Sequence, residues 1–206
     1  MIRDPKDLKR YTASERANHW VVGISFILLA LSGLAFFHPA FFPLTQLFGG
    51  PTWARIIHPY LGALMALAFL AMFFRFRHLN KMTPADREWL SKAKQMVDGD
   101  DHNMPEQGKY NGGQKVMFWA LAVCMLLMTV SGILIWRAWF GFDITLVRLG
   151  AVVHAAAGAV MIGLIMVHVY AAIWVKGTIR AMWYGTVTRA WAKQHHRGWY
   201  RQVTGK

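Results

Sequence analysis

Four long stretches of the chain contain no Asp, Glu, Lys or Arg: His19–Phe37, His58–Phe74, Val116–Trp136 and Leu149–Val175. They are 19, 17, 21 and 27 residues long, and a helix needs about 20 apolar residues to span a bilayer. Nearly every charge lies between them. Only 16% of the 206 residues are charged, where a soluble domain carries about a quarter. The pattern excludes a soluble globular protein. It predicts an all-α, integral-membrane bundle of four transmembrane helices, a single domain over residues 1–206.

The 23 Lys and Arg residues give the chain its sidedness. Five precede the first span (Arg3, Lys6, Lys9, Arg10 and Arg16), eight lie between spans two and three, and seven follow Val175. The other two loops hold only Arg55, and Arg137 with Arg148. Basic residues concentrate on the cytoplasmic side of membrane proteins, so both termini are predicted to be cytoplasmic in a multi-pass membrane protein. The formal net charge of +13 follows from that bias. It suits contact with anionic lipid heads and requires no nucleic acid.

The lone cysteine, Cys124, excludes an intramolecular disulfide, a cysteine zinc site and a cysteine-ligated iron–sulfur cluster within the chain. At mid-span it reads as a small apolar residue. The first 18 residues carry acids as well as bases, and no small-residue cleavage pattern follows the first apolar stretch, so no signal peptide is expected. Between spans one and two, Pro39, Pro43, Gly49, Gly50 and Pro51 predict turns and a brief interfacial helix. After Arg75, Thr83 is expected to cap a helix starting at Pro84 and running through Arg87, Trp89, Leu90, Lys94 and Met96, until Asp98-Gly99-Asp100-Asp101 breaks it. Beyond Gly177, apolar residues at Ile179, Met182, Trp183, Val187, Ala190 and Trp191 predict one C-terminal amphipathic helix at the cytoplasmic interface. No internal repeat is evident.

Position singles out four of the nine histidines. His19 opens span one at the inner edge, and His58 opens span two at the outer edge. Span four holds His154 near its outer end and His168 towards its inner end. Fourteen residues of helix give a rise of about 21 Å and stop roughly 40° short of four turns, so His154 and His168 share nearly one face at opposite depths. His19 matches the depth of His168, and His58 that of His154. Intramembrane polar groups need partners. Two facing imidazoles suit the axial positions of a haem iron, an arrangement that fills the coordination sphere and favours electron transfer. Gly23, Gly62 and Gly158 each follow a candidate ligand by four residues, with Ala172 four after His168, leaving room for a ring or a close helix. The competing readings are a satisfied interior histidine, or a proton relay in a haem-free proton-coupled transporter. None of the four stretches carries Asp or Glu, which disfavours the transporter. His38, His78, His102, His195 and His196 fall in loops or at span ends and are expected to be solvated or interfacial. Arg16 and Lys176 on the inner side, and Arg55 or Arg148 on the outer side, are available for haem propionates.

Several runs resemble a known family. RYTASERANHW from Arg10, ARIIHPYLG from Ala54, KYNGGQKVMFWA from Lys109, SGILIW from Ser131 and the tail from His168 are similar, in that order, to the cytochrome b (gamma) subunit of respiratory membrane-bound formate dehydrogenase. The resemblance implies an electron-transport chain of anaerobic respiration with two haem b groups. His58 and His154 would ligate the outer haem iron and His19 and His168 the inner one. It also implies that the chain anchors an iron–sulfur (beta) subunit and a catalytic molybdenum or tungsten (alpha) subunit at the outer face, with no formate-oxidising site of its own. Electrons would pass inward to menaquinone or ubiquinone near the cytoplasmic face.

For the quinone, the resemblance points to KYNGGQK with His168. Tyr110 would be an aromatic wall, Asn111 and Gln114 amide donors, and Gly113, with Gly112, a place for close backbone approach. The residues by themselves read equally as a polar turn and helix start. A related cytochrome b of a nickel–iron hydrogenase or of a sulfur-compound reductase would share the haems and the quinone but not the donor.

Overall fold

The computed structural model describes Asp4, residues 6–98 and residues 104–205. Arg3, His102 and the Gly99-Asp100-Asp101 breaker lie outside the described residues. Four helices are long and apolar enough to cross a membrane: α1 (Ala13–Phe37), α2 (Pro51–Phe76), α5 (Gly112–Ile135) and α6 (Ile144–Trp174). Each begins before one predicted span; α1 and α2 contain theirs whole, and α5 and α6 end one residue short, at Ile135 and Trp174. Charge-free counting stops at the first ionisable residue, whereas the helices continue through Glu15, Arg16, Arg55, Arg75, Lys115 and Arg148. At about 1.5 Å per residue the 24-residue α5 is about 36 Å long, which clears a hydrocarbon core of about 30 Å.

The described residues form two compact units. One contains Ala17–Phe73 and Leu121–Val167, the middle portions of all four long helices. Its core takes Val22 from α1, Met65 and Phe69 from α2, Cys124 and Met125 from α5, and Met161 from α6. Lipid is as apolar as these side chains, so the helices are held by close packing rather than by water exclusion. Methionine suits that task because its unbranched, polarizable chain fills irregular gaps. Cys124 is a free, buried thiol in this core, as expected. Leu67, Leu126 and Val152 are exposed, as lipid-facing positions require.

The other unit contains the chain up to Arg16, Phe74–Ala120 and the chain from His168. Thr83 caps α3 (Pro84–Ser91) as predicted: its backbone N–H donates to Asp86 Oδ2 at 2.7 Å, and its hydroxyl accepts from the Asp86 N–H. The predicted single helix is interrupted at Lys92, and a short α4 (Ala93–Val97) follows. The loop between α1 and α2 is a 3-10 helix over Pro39–Phe48, ended by Gly49 in the left-handed conformation.

The C-terminal amphipathic helix is not one helix. It divides into α7 (Ile179–Tyr184), a strand β2 (Thr186–Val187) and α8 (Arg189–His195), followed by α9 (Arg197–Thr204). Gly185 ends α7 at φ 78°, and a Cβ there would stand 2.6 Å from the Tyr11 carbonyl oxygen. That close approach lets the Arg10 and Tyr11 N–H groups donate to the Gly185 carbonyl at 2.8 and 3.1 Å. The β-branched pair Thr186–Val187 then runs antiparallel to β1 (Leu8–Lys9), and Thr188 caps α8 by accepting from the Trp191 N–H. Leu8, Tyr11, Ala181, Val187, Trp191 and Trp199 cluster around this junction. Periodicity reads straight through Gly185 because the apolar residues keep their spacing while the backbone reverses.

Candidate functional site: a histidine pair among the long helices

The rings of His58 on α2 and His154 on α6 face each other with centroids 6.2 Å apart and planes at 67°. Each is held by a serine from a neighbouring helix. His58 Nδ1 is 2.7 Å from Ser32 Oγ on α1, and His154 Nδ1 is 2.9 Å from Ser131 Oγ on α5. Both serines are buried. Their hydroxyl protons are already committed, since Ser32 donates to the Leu28 carbonyl at 2.8 Å and Ser131 to the Leu127 carbonyl at 2.5 Å. Each serine oxygen therefore accepts, and each imidazole donates its Nδ1–H. A neutral imidazole protonated at Nδ1 carries its lone pair on Nε2. Both rings are thus set in the tautomer that ligates a metal through Nε2, with the opposite nitrogen hydrogen-bonded as metal-bound histidines require.

The spacing fits the same purpose. Two imidazoles that shared one metal through Nε2, at metal–nitrogen distances of about 2 Å, would have their ring centres about 6 Å apart. Glycines stand beside both rings: a Cβ at Gly33 would lie 3.4 Å from His58 Cε1, and one at Gly132 3.5 Å from His154 Cε1. A Cβ at Gly23 or Gly62 would project into open space, while one at Gly158 would meet Met128 at 3.7 Å. The donor set and its orientation fit a bis-histidine haem.

The histidine pair is legible in the sequence, and the serines that hold it are not. Ser32-Gly33 on α1 and Ser131-Gly132 on α5 repeat one dipeptide with one role, the serine receiving an imidazole N–H and the glycine clearing space beside the same ring. That repeated Ser-Gly is the signal in the sequence.

Of the other predicted ligands, His19 lies near the start of α1 with its ring 5.9 Å from that of Trp20, and His168 lies on α6 with an exposed side chain. Arg55, Arg148 and Lys176 are exposed, but Arg16 is engaged: its Nη1 donates to the Trp183 carbonyl at 2.7 Å.

The KYNGGQK segment starts α5. Asn111 and Gln114 cap it reciprocally, the Gln114 N–H donating to Asn111 Oδ1 at 2.9 Å and the Asn111 N–H to Gln114 Oε1 at 3.0 Å. Capping uses the two side-chain oxygens and leaves both NH2 groups as donors. Gly112 and Gly113 admit protein: a Cβ at Gly112 would come 2.6 Å from the Asp86 carbonyl, and one at Gly113 2.9 Å from the Trp89 ring. Tyr110 accepts a hydrogen bond from the Tyr11 hydroxyl at 3.2 Å. Burial and the nearby Tyr11 push the Tyr110 phenol well above its ordinary value, so it is a neutral hydroxyl.

His38 and His78 are exposed, as expected. His196 is not solvated as predicted, with only 2% of its surface exposed. Its Nδ1 lies 2.8 Å from the Gly108 carbonyl and its Nε2 3.3 Å from Arg10 Nη2. The buried Arg10 guanidinium lies 4.9 Å from the ring centres of both Trp191 and Trp199 and donates to the Lys109 carbonyl. A terminal His-His after a basic run reads as surface, and nothing local marks the aromatic box that Arg10 and the tail build together.

The family model described as prokaryotic cytochrome b561 matches residues 10–185. The chain belongs to that family. A cytochrome b binds haem b, and the donor set of His58 and His154 fits such a group. The chain is 46% identical over 196 residues to the formate dehydrogenase cytochrome b556(fdo) subunit of Escherichia coli strain K12, covering 94% of this chain and 92% of that one. It is 44% identical over 191 residues to the nitrate-inducible formate dehydrogenase cytochrome b556(Fdn) subunit of the same strain, covering 92% and 88%. To the formate dehydrogenase cytochrome b556 subunit of Haemophilus influenzae it is 38% identical over 195 residues, covering 94% and 82%. These proteins are named as subunits of a redox enzyme complex, and this cytochrome matches them over nearly its whole length.

Proposed function

We propose that the chain is the di-haem, quinone-reducing subunit of a respiratory formate dehydrogenase in the bacterial inner membrane, a single membrane domain with both termini cytoplasmic. The observation that carries this reading is the serine-anchored pair of His58 and His154, in a chain similar over more than nine-tenths of its length to formate dehydrogenase cytochromes. His58 and His154 hold the outer haem. His19 and His168, matched in depth along their spans, hold the inner one. The haems supply one-electron carriage across the membrane. An iron–sulfur subunit is the electron donor at the outer face, and a molybdenum or tungsten subunit oxidises formate.

Menaquinone or ubiquinone is reduced beside His168, at the turn formed by Tyr110, Asn111, Gly113 and Gln114. The amide NH2 groups of Asn111 and Gln114 are the donors suited to quinone oxygens, Tyr110 supplies a neutral hydroxyl and an aromatic face, and Gly113 keeps Trp89 close behind the turn. Formate oxidised outside releases protons there, and quinone reduced at the inner side takes protons from the cytoplasm. Each electron carried inward thus works against a potential worth about 2.3 kcal/mol per 100 mV.

Reduced-minus-oxidised difference spectra of the purified complex, scaled to the amount of this chain, are expected to give two low-spin b-type haems per chain. His58→Ala and His154→Ala should remove the same one. One haem in the unaltered protein would end the di-haem reading, and loss of different haems in the two variants would end the pairing. Asn111→Ala and Gln114→Ala should slow quinone reduction with the haem spectrum intact. Unaltered turnover in both would remove the quinone site.

A further inference from the structure

Three successive carbonyls lead into the turn that starts α5, and each receives a hydrogen bond from a distant part of the chain. The Trp199 N–H, in the first turns of α9, donates to the Gln107 carbonyl at 3.2 Å. His196 Nδ1 lies 2.8 Å from the Gly108 carbonyl, and Arg10 Nη2 donates to the Lys109 carbonyl. A Cβ at Gly198 would stand 3.0 Å from the Gln107 oxygen, so the approach of α9 to this strand of backbone is close. Tyr110, Asn111 and Gln114 follow immediately.

The two side chains in this arrangement also fix each other. A carbonyl only accepts, so His196 Nδ1 must carry the proton it shares with Gly108. His196 Nε2 is therefore an acceptor, and Arg10 Nη2, 3.3 Å away, is its donor. One guanidinium nitrogen thus serves both the Lys109 carbonyl and the imidazole, while the rings of Trp191 and Trp199, each with its centre 4.9 Å away, confine it. Lysine has no planar guanidinium to pack against the two indoles and hold a donor at that place.

We propose that Arg10 and His196 are positioning residues for quinone reduction, clamping the carbonyls of residues 107–109 so that Tyr110, Asn111 and Gln114 present their donors in a fixed arrangement. The inference rests on the reading of this turn as the quinone site. Neither side chain touches the quinone. Their effect is on the precision of groups that do, where errors of about 1 Å are costly.

The experiment is steady-state reduction of a water-soluble naphthoquinone by formate, using the chain assembled with its partner subunits, with the haem spectrum recorded for every variant. His196→Ala and Arg10→Lys should each raise KM for the naphthoquinone about tenfold, with kcat changed less and both haems retained. His196→Gln should return KM to within about threefold of the unaltered protein, because its amide can donate to Gly108 and accept from Arg10. Should His196→Ala fail to accumulate, Arg10→Lys decides. Unchanged KM in these variants, while Asn111→Ala raises it, would overturn the clamp and leave the quinone site standing. Unchanged KM in Asn111→Ala as well would remove the site on which the clamp depends.

Discussion

Replacing Ser32 and Ser131 with alanine tests the proposed haem site without touching its proposed ligands. Each serine accepts the Nδ1–H of its histidine while its own proton goes to a helix carbonyl. That bond pushes electron density into the imidazole and makes Nε2 a stronger donor. A stronger axial donor favours ferric over ferrous iron, so losing the bond should raise the reduction potential. A hydrogen bond of this kind is worth about 1 kcal/mol net. For a one-electron couple, 1.4 kcal/mol corresponds to 59 mV, so the whole bond equals about 40 mV. With roughly half of it dependent on the iron's oxidation state, each serine accounts for an upward shift of about 20 mV and the double variant for about 40 mV.

The assay is a redox titration of the difference spectrum in the purified complex, one haem component being expected to move and the other to stay. The carbonyls of Leu28 and Leu127 belong to helices and keep their backbone partners, so alanine at 131 leaves His154 the Met128 carbonyl, while alanine at 32 orphans the His58 N–H. Leaving that group unsatisfied costs about 1–3 kcal/mol, which should appear as weaker haem retention on dilution. Potentials unchanged to within about 10 mV in the double variant, or shifted downward, would refute the tautomer argument and the pairing built on it.

Three further outcomes follow from the geometry. Gly33→Val should lower the content of one haem while leaving the other, because even a Cβ at that position reaches 3.4 Å from His58 Cε1; full content of both would count against the fit. Lys115→Met should destabilise the unit holding α3 by about 3–5 kcal/mol, read as a fall in melting temperature, because it strips the buried Asp86 carboxylate of its 2.6 Å partner. Burial alone would raise the Asp86 carboxyl, and the hydrogen bonds from Lys115 and Thr83 outweigh it and hold it below its ordinary value. His196 is driven from 6.5 down to about 3, by burial first and then by the Arg10 charge, with His195 adding to the effect and the Gly108 carbonyl opposing it. Its folded form binds the proton more weakly than its unfolded form. The stability it contributes is therefore complete above about pH 6.5 and falls as the pH drops towards 3, with about 2 kcal/mol lost by pH 5. Limited proteolysis of the tail at pH 7 and pH 5 should show that loss, and His196→Gln should flatten it.

How much of this was legible depends on whether a feature is local. The four spans are composition, and they were read to within a few residues except where helices run on past the charge that ended each count. The depth pairing of His58 with His154 follows from counting along known helix geometry, since a span fixes how deep each residue lies. The tail reads as one helix because amphipathic spacing survives a reversal at Gly185, which both its left-handed φ of 78° and the Tyr11 carbonyl, 174 residues earlier, require to be glycine. Arg10 and His196 were hidden for the same reason, being surface residues by local sequence and a buried pair only once both ends of the chain meet.

The serines are the instructive case, because their signal is local and still went unread. Ser-Gly recurs as Ser32-Gly33 and Ser131-Gly132, each on the helix that precedes a ligand-bearing helix and each followed after 23 to 26 residues by the histidine its serine anchors. Serine within a transmembrane helix looks unremarkable because its hydroxyl can satisfy itself on the carbonyl four residues back, as both do here. That self-satisfaction is what makes it useful. A hydroxyl whose proton is spent can only accept, so it dictates the tautomer of any imidazole placed against it. Two helix hairpins that share no obvious repeat, α1–α2 and α5–α6, thus solve one chemical problem identically: each fixes a histidine's Nδ1–H on a serine and leaves the lone pair on Nε2.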